Sequence, residues 1–456
     1  MPGMNSGLNS NNQTLVAAFR SALLHQGIIV LLVFAVLAVA WVGIREWMQS
    51  DVTPATPATP AIRPAPRGAA GAEPAWRQLL RIGFGILWIF DGLLQAQPAM
   101  AVGLPGQVIE PAAQASPPWV QHLVDLAGTA WSHHPVQAGA SVVWIQIGIG
   151  AWLIAAPRGP WSRLAGLASA AWGLVVWVFG ESFGGIFAPG LTWLFGAPGA
   201  AAFYCAAGVL IALPRRGWPT PRLGRTVLAA TGVFFLGMAV LQAWPGRGFW
   251  QGTLHGGPGT LTGMVRSMAA TPQPSLFAGW VSSFASFTAA HGFAVNLFAV
   301  TALGATGAGL LAAGRAPGWL LRLTVVATVA GCLADWALIE DFGFFGGLGT
   351  DPNSMIPMAL LVVAGYLALT RAPAPVTGPV EAPVAATAAA ASRWVGWRQQ
   401  VRPARLARAF GAGSARAVLA VWAVAIIVLG AAPMALAQAS PNADPIIAHG
   451  SSGWRR

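Results

Sequence analysis

The sequence contains no lysine, and all of its 25 basic residues are arginines. Chemistry that requires a lysine amine is therefore excluded, including Schiff-base catalysis and phosphate-binding loops that end in Gly-Lys. Cysteine is nearly as scarce, because only Cys205 and Cys332 occur and they stand far apart. Neither a CxxC dithiol nor a zinc-binding spacing is encoded, and both cysteines are predicted to be small buried hydrophobic residues.

Charged residues are also few, at 8% of the chain, whereas 55% of the residues are hydrophobic and the mean hydropathy is +0.62. This composition excludes an ordinary soluble protein and predicts a membrane protein whose partner is lipid. The net charge of +12 would favour nucleic acid in a soluble chain. Here the arginines lie in short segments between apolar runs, which is typical of membrane topology, so nucleic acid is not a predicted partner.

Apolar runs of about 20 residues predict an all-helical polytopic protein with about ten membrane-spanning helices. The predicted spans are residues 24–44, 79–97, 137–156, 161–180, 199–214, 225–243, 290–313, 318–339, 355–370 and 415–437. If the N-terminus lies outside, every arginine falls on the inner side except Arg20, Arg247, Arg266, Arg455 and Arg456. Because loops rich in arginine stay on the cytoplasmic side, we predict a multi-pass protein of the bacterial plasma membrane with both termini outside.

Two stretches rich in proline and alanine, residues 53–68 and 372–392, predict extended cytoplasmic linkers. The predicted domains are an N-terminal anchor (1–49), a linker (50–76), a four-helix repeat (77–214), a second four-helix repeat (223–371), an Ala/Pro-rich and then Arg-rich linker (372–413), and a C-terminal span with a short outer tail (414–456). The small residues of PMALAQAS after the last apolar run are also typical of a cleaved export signal, so two interpretations of this span stay open.

Segments of the first predicted repeat recur in the second. LLQAQP (93–98) returns as VLQAWP (240–245), and LIAAPR (153–158) returns as LLAAGR (310–315). Three residues, Arg163, Trp177 and Glu181, recur at one constant separation as Arg322, Trp336 and Glu340. The pattern predicts a duplicated four-span unit, and because four is even, both copies would share one orientation around an axis along the membrane normal.

Each copy contains the motif WxxxExFG at the predicted outer end of its third span. Trp177 and Glu181, like Trp336 and Glu340, are one helical turn apart and share a helix face. Tryptophan at a membrane interface with glutamate facing water is an ordinary arrangement. The glycine would equally permit a tight turn or the close approach of a ligand to the backbone. A structural and a functional role are both compatible with the motif.

Asp91 is the most informative single residue. It stands six residues before the end of its span, about 9 Å inside the membrane at a rise of about 1.5 Å per residue. An acid at that depth is costly unless it is protonated, paired or facing a wet cavity. The alternatives are a ligand-binding role and a buried hydrogen bond to Gln95 or a tryptophan. Its counterpart is Met238, so only one repeat would hold this group.

The predicted ligand-binding residues all lie at the outer ends of the two repeats. They are Asp91, Gln95, Trp177, Glu181, Gln242, Trp336, Glu340 and Asp341. Asp335 and Asp351 add further carboxyl groups to the same region, where close acids could bind a cation or share a proton, or could simply face water. No metal site is predicted, no catalytic residue is identified, and whether the chain is an enzyme stays open.

Two histidines, His134 and His291, occupy matching positions at the outer start of the second span of each repeat. A haem between the repeats would use such a pair, but a histidine at the headgroup boundary needs no cofactor, so haem is disfavoured. The cofactor stays unidentified, and aromatic walls with few polar groups are compatible with a quinone.

The four-span unit resembles the DoxX/DoxD family of small bacterial membrane proteins. The similarity lies in RIGFGILWIFDGLLQ (81–95) and in WIQIGIGAWLIAAPR (144–158), and it covers roughly residues 77–371 as two tandem units. The chain departs from the family pattern at Gln95, where a lysine is usual, and at Gln146, where glutamate is frequent. The resemblance implies a four-helix membrane bundle and, for some members, quinone-linked oxidation of reduced sulfur compounds or an oxidative-stress complex with soluble partners.

The leading functional hypothesis is a membrane subunit that presents an extracytoplasmic pocket for a quinone or small reduced solute, with a protein partner on that side. A scaffold or assembly factor would suit the linkers and the flanking spans. A small-solute transporter is the third class, although the predicted cytoplasmic half has almost no polar residues within the spans to form a pathway.

Overall fold

The computed structural model of the protein describes residues 13–50, 73–214, 221–271, 273–344 and 348–370. Across these residues the chain is almost entirely helical, apart from a small hairpin of β1 (Thr253–Leu254) and β2 (Gly257–Pro258). A helix satisfies its own backbone hydrogen bonds, which is what a bilayer without water requires. The prediction of a helical membrane protein is confirmed at this level.

Thirteen α-helices form the described part of the chain. They are α1 (Gln13–Ser50), α2 (Ala75–Gln95), α3 (Pro98–Leu104), α4 (Glu110–Ala113), α5 (Pro118–His133), α6 (Pro135–Ala155), α7 (Pro160–Val175), α8 (Ala200–Ala212), α9 (Pro221–Ala243), α10 (Thr260–Ala269), α11 (Ser275–Leu311), α12 (Gly318–Leu338) and α13 (Met355–Thr370). A widened turn, Val176–Gly180, continues α7, and tight turns cover Ser182–Gly185, Trp193–Phe195 and Asp341–Gly343.

Six helices are long and apolar enough to cross a bilayer: α1, α6, α7 with its widened turn, α9, α11 and α12. A seventh span would be the bent pair of α2 and Pro98–Ala113, which meet at 85°. The helices at two further predicted spans, α8 and α13, have only 13 and 16 residues. At about 1.5 Å per residue they are shorter than a bilayer core of about 30 Å. Among the described residues, where nine of the ten predicted spans fall, the structure therefore supports six or seven full spans.

Several predictions concern segments outside the described residues. These segments are the tenth predicted span (415–437), the linker 372–413, the outer tail and most of the linker 50–76.

Two helix pairs, α2 with α6 and α9 with α11, approach each other through glycines. A Cβ atom on Gly150 of α6 would lie 2.5 Å from the carbonyl oxygen of Gly85 in α2. A Cβ on Gly307 of α11 would likewise lie 2.8 Å from the carbonyl oxygen of Gly232 in α9. Small residues at such contacts let membrane helices pack backbone to backbone. When the repeated sequence segments are aligned, Gly232 and Gly307 stand at the positions of Gly85 and Gly150.

The eight central helices share one hydrophobic core. Gly166 of α7 and Gly208 of α8 make a third contact of the same kind, since a Cβ on Gly208 would lie 2.5 Å from the Gly166 carbonyl oxygen. Helix α13 lies at the centre and touches α2, α8, α9 and α12. We call α2, α6, α7 and α8 the first half of the bundle, and α9, α11, α12 and α13 the second half.

One end of the bundle is clamped by two buried arginines of α2. Arg77 donates to the carbonyl oxygen of Ile211 at 2.8 Å, and Arg81 donates to that of Leu153 at 2.8 Å. Glu73 forms salt bridges with both guanidinium groups. The last carbonyls of a helix lack intrahelical donors and carry partial negative charge, so the arginines cap α6 and α8. We call this end the arginine end, and the opposite end, where α2 finishes, the acid end.

Helix α1 packs against α6 of the first half and against α3. Phe19 is fully buried and faces Gly139 of α6, where a Cβ would lie 3.2 Å from its ring. The indole of Trp144 donates to the carbonyl oxygen of Leu23 at 3.2 Å. These contacts anchor the N-terminal helix to α6 and α3.

The glycine contacts give a stability prediction with a matched control in the same helix. Gly307→Ala should lower the free energy of unfolding by about 1–3 kcal/mol, because the new methyl group overpacks the contact with α9. Gly304→Ala should be neutral or slightly stabilising, since a Cβ there meets nothing within 4 Å. Thermal unfolding of both variants in detergent tests this. Equal melting temperatures for the two variants would contradict the packing described.

A buried acidic cluster as the candidate functional site

The two WxxxExFG motifs fold in the same way at the acid end. After α7 and α12 the chain turns through left-handed backbone, with φ of 60° at Phe183 and 58° at Phe342. In each copy the phenylalanine packs edge-on against the motif tryptophan, with ring centroids 5.2 Å apart for Trp177 and 4.8 Å for Trp336. Such a conformation costs a non-glycine residue roughly 1–2 kcal/mol. It therefore persists only where the surrounding structure enforces it.

The glycine that closes each motif lets the turn lie against a second loop. Gly184 has φ of 59°, and a Cβ there would collide with the carbonyl group of Pro198. Gly343 has φ of 76°, and a Cβ there would lie 2.6 Å from the carbonyl carbon of Pro352. Each loop leads directly into the next helix, α8 or α13. The motif glycine is thus required for the close approach of two backbone segments.

Glu181 uses this approach to cap α8. Its carboxyl group accepts a hydrogen bond from the amide of Ala201, at 3.1 Å and 3.3 Å to the two oxygens. The amides at the start of a helix lack intrahelical acceptors and favour a negative or polar oxygen there. This half-buried glutamate therefore has a structural role that the sequence motif alone did not distinguish from a ligand-binding one.

Glu340 occupies the matching position but keeps unused hydrogen-bonding capacity. It is 3% exposed and faces the amides of Ser354 and Met355 at the start of α13. Neither of its carboxyl oxygens makes a hydrogen bond to a described residue. A buried polar atom without a partner is costly, so a proton on Glu340 or a ligand that pairs with it would be stabilising.

Asp91 lies near the acid end of α2 and is 2% exposed. It faces the hydroxyl of Tyr204. Neither the Tyr204 hydroxyl oxygen nor Asp91 Oδ1 makes a hydrogen bond to a described residue. The Tyr204 ring packs edge-on against Trp88 and Phe84, with centroids 4.5 Å and 5.1 Å away. The carboxyl group therefore lies against an aromatic wall.

Asp351 brings the acids of the two halves together. It is held in the loop before α13 by the hydroxyl of Thr350, at 2.9 Å, and by the amide of Asn353, at 2.7 Å. Three other acids lie within its electrostatic reach: Asp91, Glu181 and Glu340. We call these four residues, together with Asp335 beside Glu340, the acidic cluster.

The loops of the two halves interlock around this cluster. A Cβ on Gly196, in the loop of the first half, would lie 2.8 Å from Oε1 of Glu340. The hydroxyl of Ser354 donates to the Gly196 carbonyl oxygen. Phe344, which follows the second motif, packs on Phe90 of α2 with ring centroids 5.1 Å apart. The candidate site thus lies between the halves rather than within one of them.

The two glutamines predicted as ligand-binding residues differ in their partners. Gln242 accepts from the hydroxyl of Thr192 at 2.6 Å and donates to Asn296 at 2.7 Å. Both ends of its amide are therefore occupied in a structural network. Gln95 is 5% exposed, and its Oε1 has no partner among the described residues. Of the two, Gln95 retains free capacity for a ligand.

The remaining predicted residues also differ between the halves. The Trp177 indole donates to the carbonyl oxygen of Pro198 at 2.6 Å, whereas the buried indole nitrogen of Trp336 has no described partner. Asp341 is fully buried by its neighbours and both of its oxygens lack partners among the described residues. Loss of hydration raises the pKa of Asp341 to about 6. Its counterpart in the first half is Ser182, which is equally buried.

His134 and His291 mark equivalent breaks in helical structure. His134 separates α5 from α6 with φ of −144°, and His291 kinks α11 with φ of −125°. His291 is exposed and stacks on Phe287, with ring centroids 4.6 Å apart. Nothing in this geometry directs the two imidazoles at a common ligand.

No described cation balances the acidic cluster. The salt bridges among the described residues join Glu73 to Arg77 and Arg81 at the opposite end. Loss of hydration raises the pKa of Glu181 to about 8, and the nearby Asp351 carboxylate adds to the effect. The pKa of Glu340 is raised well above its usual value by burial and then by neighbouring acids, and loss of hydration also raises the pKa of Asp351. Protonated acids therefore persist here near neutral pH.

Among the described residues no group of three or more His, Cys, Asp or Glu side chains is arranged to hold a metal ion. Comparison of the chain with protein-family models, with curated proteins and with solved structures finds no match.

Tyr204 was missed by the sequence analysis, and Asp335 and Asp351 were noted without being placed among the ligand-binding candidates. Tyr204 stands in an apolar helix, and only the fold shows that it faces Asp91. Asp351 precedes Pro-Asn, a typical turn signal, and this favours a structural interpretation. Because Asp351 and Asp91 are far apart in sequence, the sequence gives no sign that they approach each other.

Glu181 gives a pH prediction. An acid with a higher pKa in the folded than in the unfolded protein stabilises the fold fully below about pH 4.5, and this contribution is lost as the pH rises through about 8. The melting temperature should therefore fall between pH 5 and about pH 9, and Glu181→Gln should reduce the slope because glutamine keeps the accepting oxygen without ionising. The control is Asp125→Asn, at an exposed acid of α5. An unchanged slope in Glu181→Gln would refute the assignment.

Proposed function

We propose that the protein is a membrane subunit built from two tandem four-helix units of the DoxX/DoxD type. Three pairs of equivalent features support this organisation: the glycine contacts Gly85–Gly150 and Gly232–Gly307, the left-handed motif turns, and the breaks at His134 and His291. They recur in the order and register of the matching sequence segments. In the proposed topology the short α8 and α13 complete each unit, and the acid end faces the extracytoplasmic side of a bacterial plasma membrane.

The function we propose for the acid end is the binding of a quinone-type ligand. The observation that carries this proposal is the set of buried carboxyl oxygens without partners at Asp91 and Glu340, in a region with no described cation. A carboxyl group buried without a counter-ion is stable in its neutral form. A neutral carboxylic acid donates a hydrogen bond, so the ligand should present carbonyl acceptors.

A quinone head group matches both parts of this site. Its two carbonyl oxygens accept hydrogen bonds from protonated acids, and its flat ring packs on aromatic side chains such as Trp88 and Tyr204. When the ring is reduced by two electrons, each oxygen takes up one proton, which neighbouring carboxylic acids can supply. The electrons would come from a redox partner, because no described residue group forms a redox centre.

A scaffold role is the second candidate, and exposed aromatic side chains favour it. At the acid end Trp119 of α5 is 52% exposed and Trp280 of α11 is 47% exposed. Aromatic residues at the rim of a bundle suit either the lipid headgroup layer or a partner protein. Transport has less support, since the clamp of Arg77 and Arg81 closes the first half at the arginine end.

Binding of a short-chain quinone to the purified protein tests the proposal. Asp91→Leu should weaken binding about tenfold, the loss expected for one hydrogen bond of about 1.4 kcal/mol. Asp91→Asn should bind within about threefold of the unmodified protein, because its amide still donates. Quenching of tryptophan fluorescence can report binding.

The exposed acid Asp125 provides the control, and Asp125→Asn should leave binding unchanged. A scaffold would show no saturable quinone binding in any variant. Equal affinity of Asp91→Leu and the unmodified protein would likewise contradict the quinone proposal.

A further inference from the structure

Six arginines without an acidic partner among the described residues lie at the arginine end of the bundle. The arginines lie at the starts of α7, α9 and α12 and in the turns that precede α7 and α12: Arg158, Arg163, Arg222, Arg225, Arg315 and Arg322. Arg158 is half-buried and the other five are exposed. None forms a salt bridge with a described residue, since Glu73 is the only described acidic side chain at this end and is occupied by the clamp. These arginines therefore lack a protein counter-charge in the described part of the chain.

The residues around Arg158 point to a missing acceptor. Its Nε is buried and has no hydrogen-bond partner among the described residues. Arg163, in the first turn of α7, uses its Nε to donate to the Ala212 carbonyl oxygen at 3.0 Å, which fixes the side chain beside the end of α8. A guanidinium group offers five donors in a planar fork that matches phosphate oxygens. A phosphate ligand would satisfy the unused donors.

The same combination of residues recurs before α12. RGPWSR (158–163) corresponds to RAPGWLLR (315–322), so each half places one arginine before a proline, then a tryptophan, then a second arginine. Trp161 is half-buried and Trp319 is 67% exposed. Tryptophan beside arginine is typical of the headgroup level of a membrane.

We propose that these two groups bind the headgroups of anionic phospholipids, one at Arg158, Trp161 and Arg163 and one at Arg315, Trp319 and Arg322. Charge complementarity selects an anionic headgroup, because nothing else described at this end offsets the positive charge. The proposal is independent of the ligand at the acid end.

Apolar side chains adjoining the arginines make a lipid a better occupant than free phosphate. On α7, Leu164 and Leu167 follow Arg163 and are 42% and 51% exposed. On α12, Leu323 and Val326 follow Arg322 and are 57% and 64% exposed. Each arginine group thus continues into an apolar surface on which acyl chains can pack.

Native mass spectrometry of the full chain with added phosphatidylglycerol or phosphatidylcholine tests the proposal. We expect two tightly retained phosphatidylglycerol molecules and at least tenfold weaker retention of phosphatidylcholine. The double variant Arg158→Gln, Arg163→Gln should lose one bound lipid, with about tenfold weaker affinity at that site. Arg315→Gln, Arg322→Gln should do the same, and this second pair makes no hydrogen bond that folding needs in the described structure.

Arg266→Gln is the charge control, since Arg266 is exposed on α10, outside both groups, and it should leave lipid retention unchanged. Equal retention of the two lipids would overturn the proposal, as would unchanged binding in both double variants. Displacement of phosphatidylglycerol by millimolar inorganic phosphate would overturn it in favour of a free-anion site.

Discussion

Acids buried without a cation impose the constraint on which the rest of the acid end depends. An ionised carboxylate in a membrane bundle is costly, and Asp91, Asp335 and Glu340 have no basic partner among the described residues. Within the cluster, Glu181 is bonded to a helix N-terminus and Asp351 to donors in its own turn, and the buried acids are further stabilised by protonation.

The two halves of the bundle combine a shared frame with different chemistry. Glycine contacts and motif turns are alike, but the first half alone has arginines at the positions of Arg77 and Arg81. The second half has Gly224 in the position that corresponds to Arg77, where a Cβ would lie 2.7 Å from the Cα of Leu369 in α13. At the other end Asp91 corresponds to Met238. A site formed between unlike halves can therefore hold one ligand asymmetrically.

Much of the frame was predictable from the sequence because helices in lipid follow local rules. Apolar runs located the helices, and the repeated WxxxExFG pointed to the turns at the acid end. The short lengths of α8 and α13 were already visible in the predicted spans 199–214 and 355–370, but the contacts of the loops before these helices were not. The role of Glu181 as a cap and the approach of Asp351 to Asp91 depend on contacts between distant segments. No local pattern encodes such contacts.

We expect the acidic cluster to hold protons at neutral pH. Infrared spectroscopy of the purified protein in detergent measures this directly, because the carbonyl stretch of a protonated carboxylic acid is separate from that of a carboxylate. We expect a protonated-acid band at pH 7 that weakens in Asp91→Asn and again in Asp91→Asn combined with Glu340→Gln, while Asp125→Asn leaves it unchanged. Absence of the band at pH 7 would mean that the acids are ionised and balanced by a bound cation, which would contradict a protonated cluster.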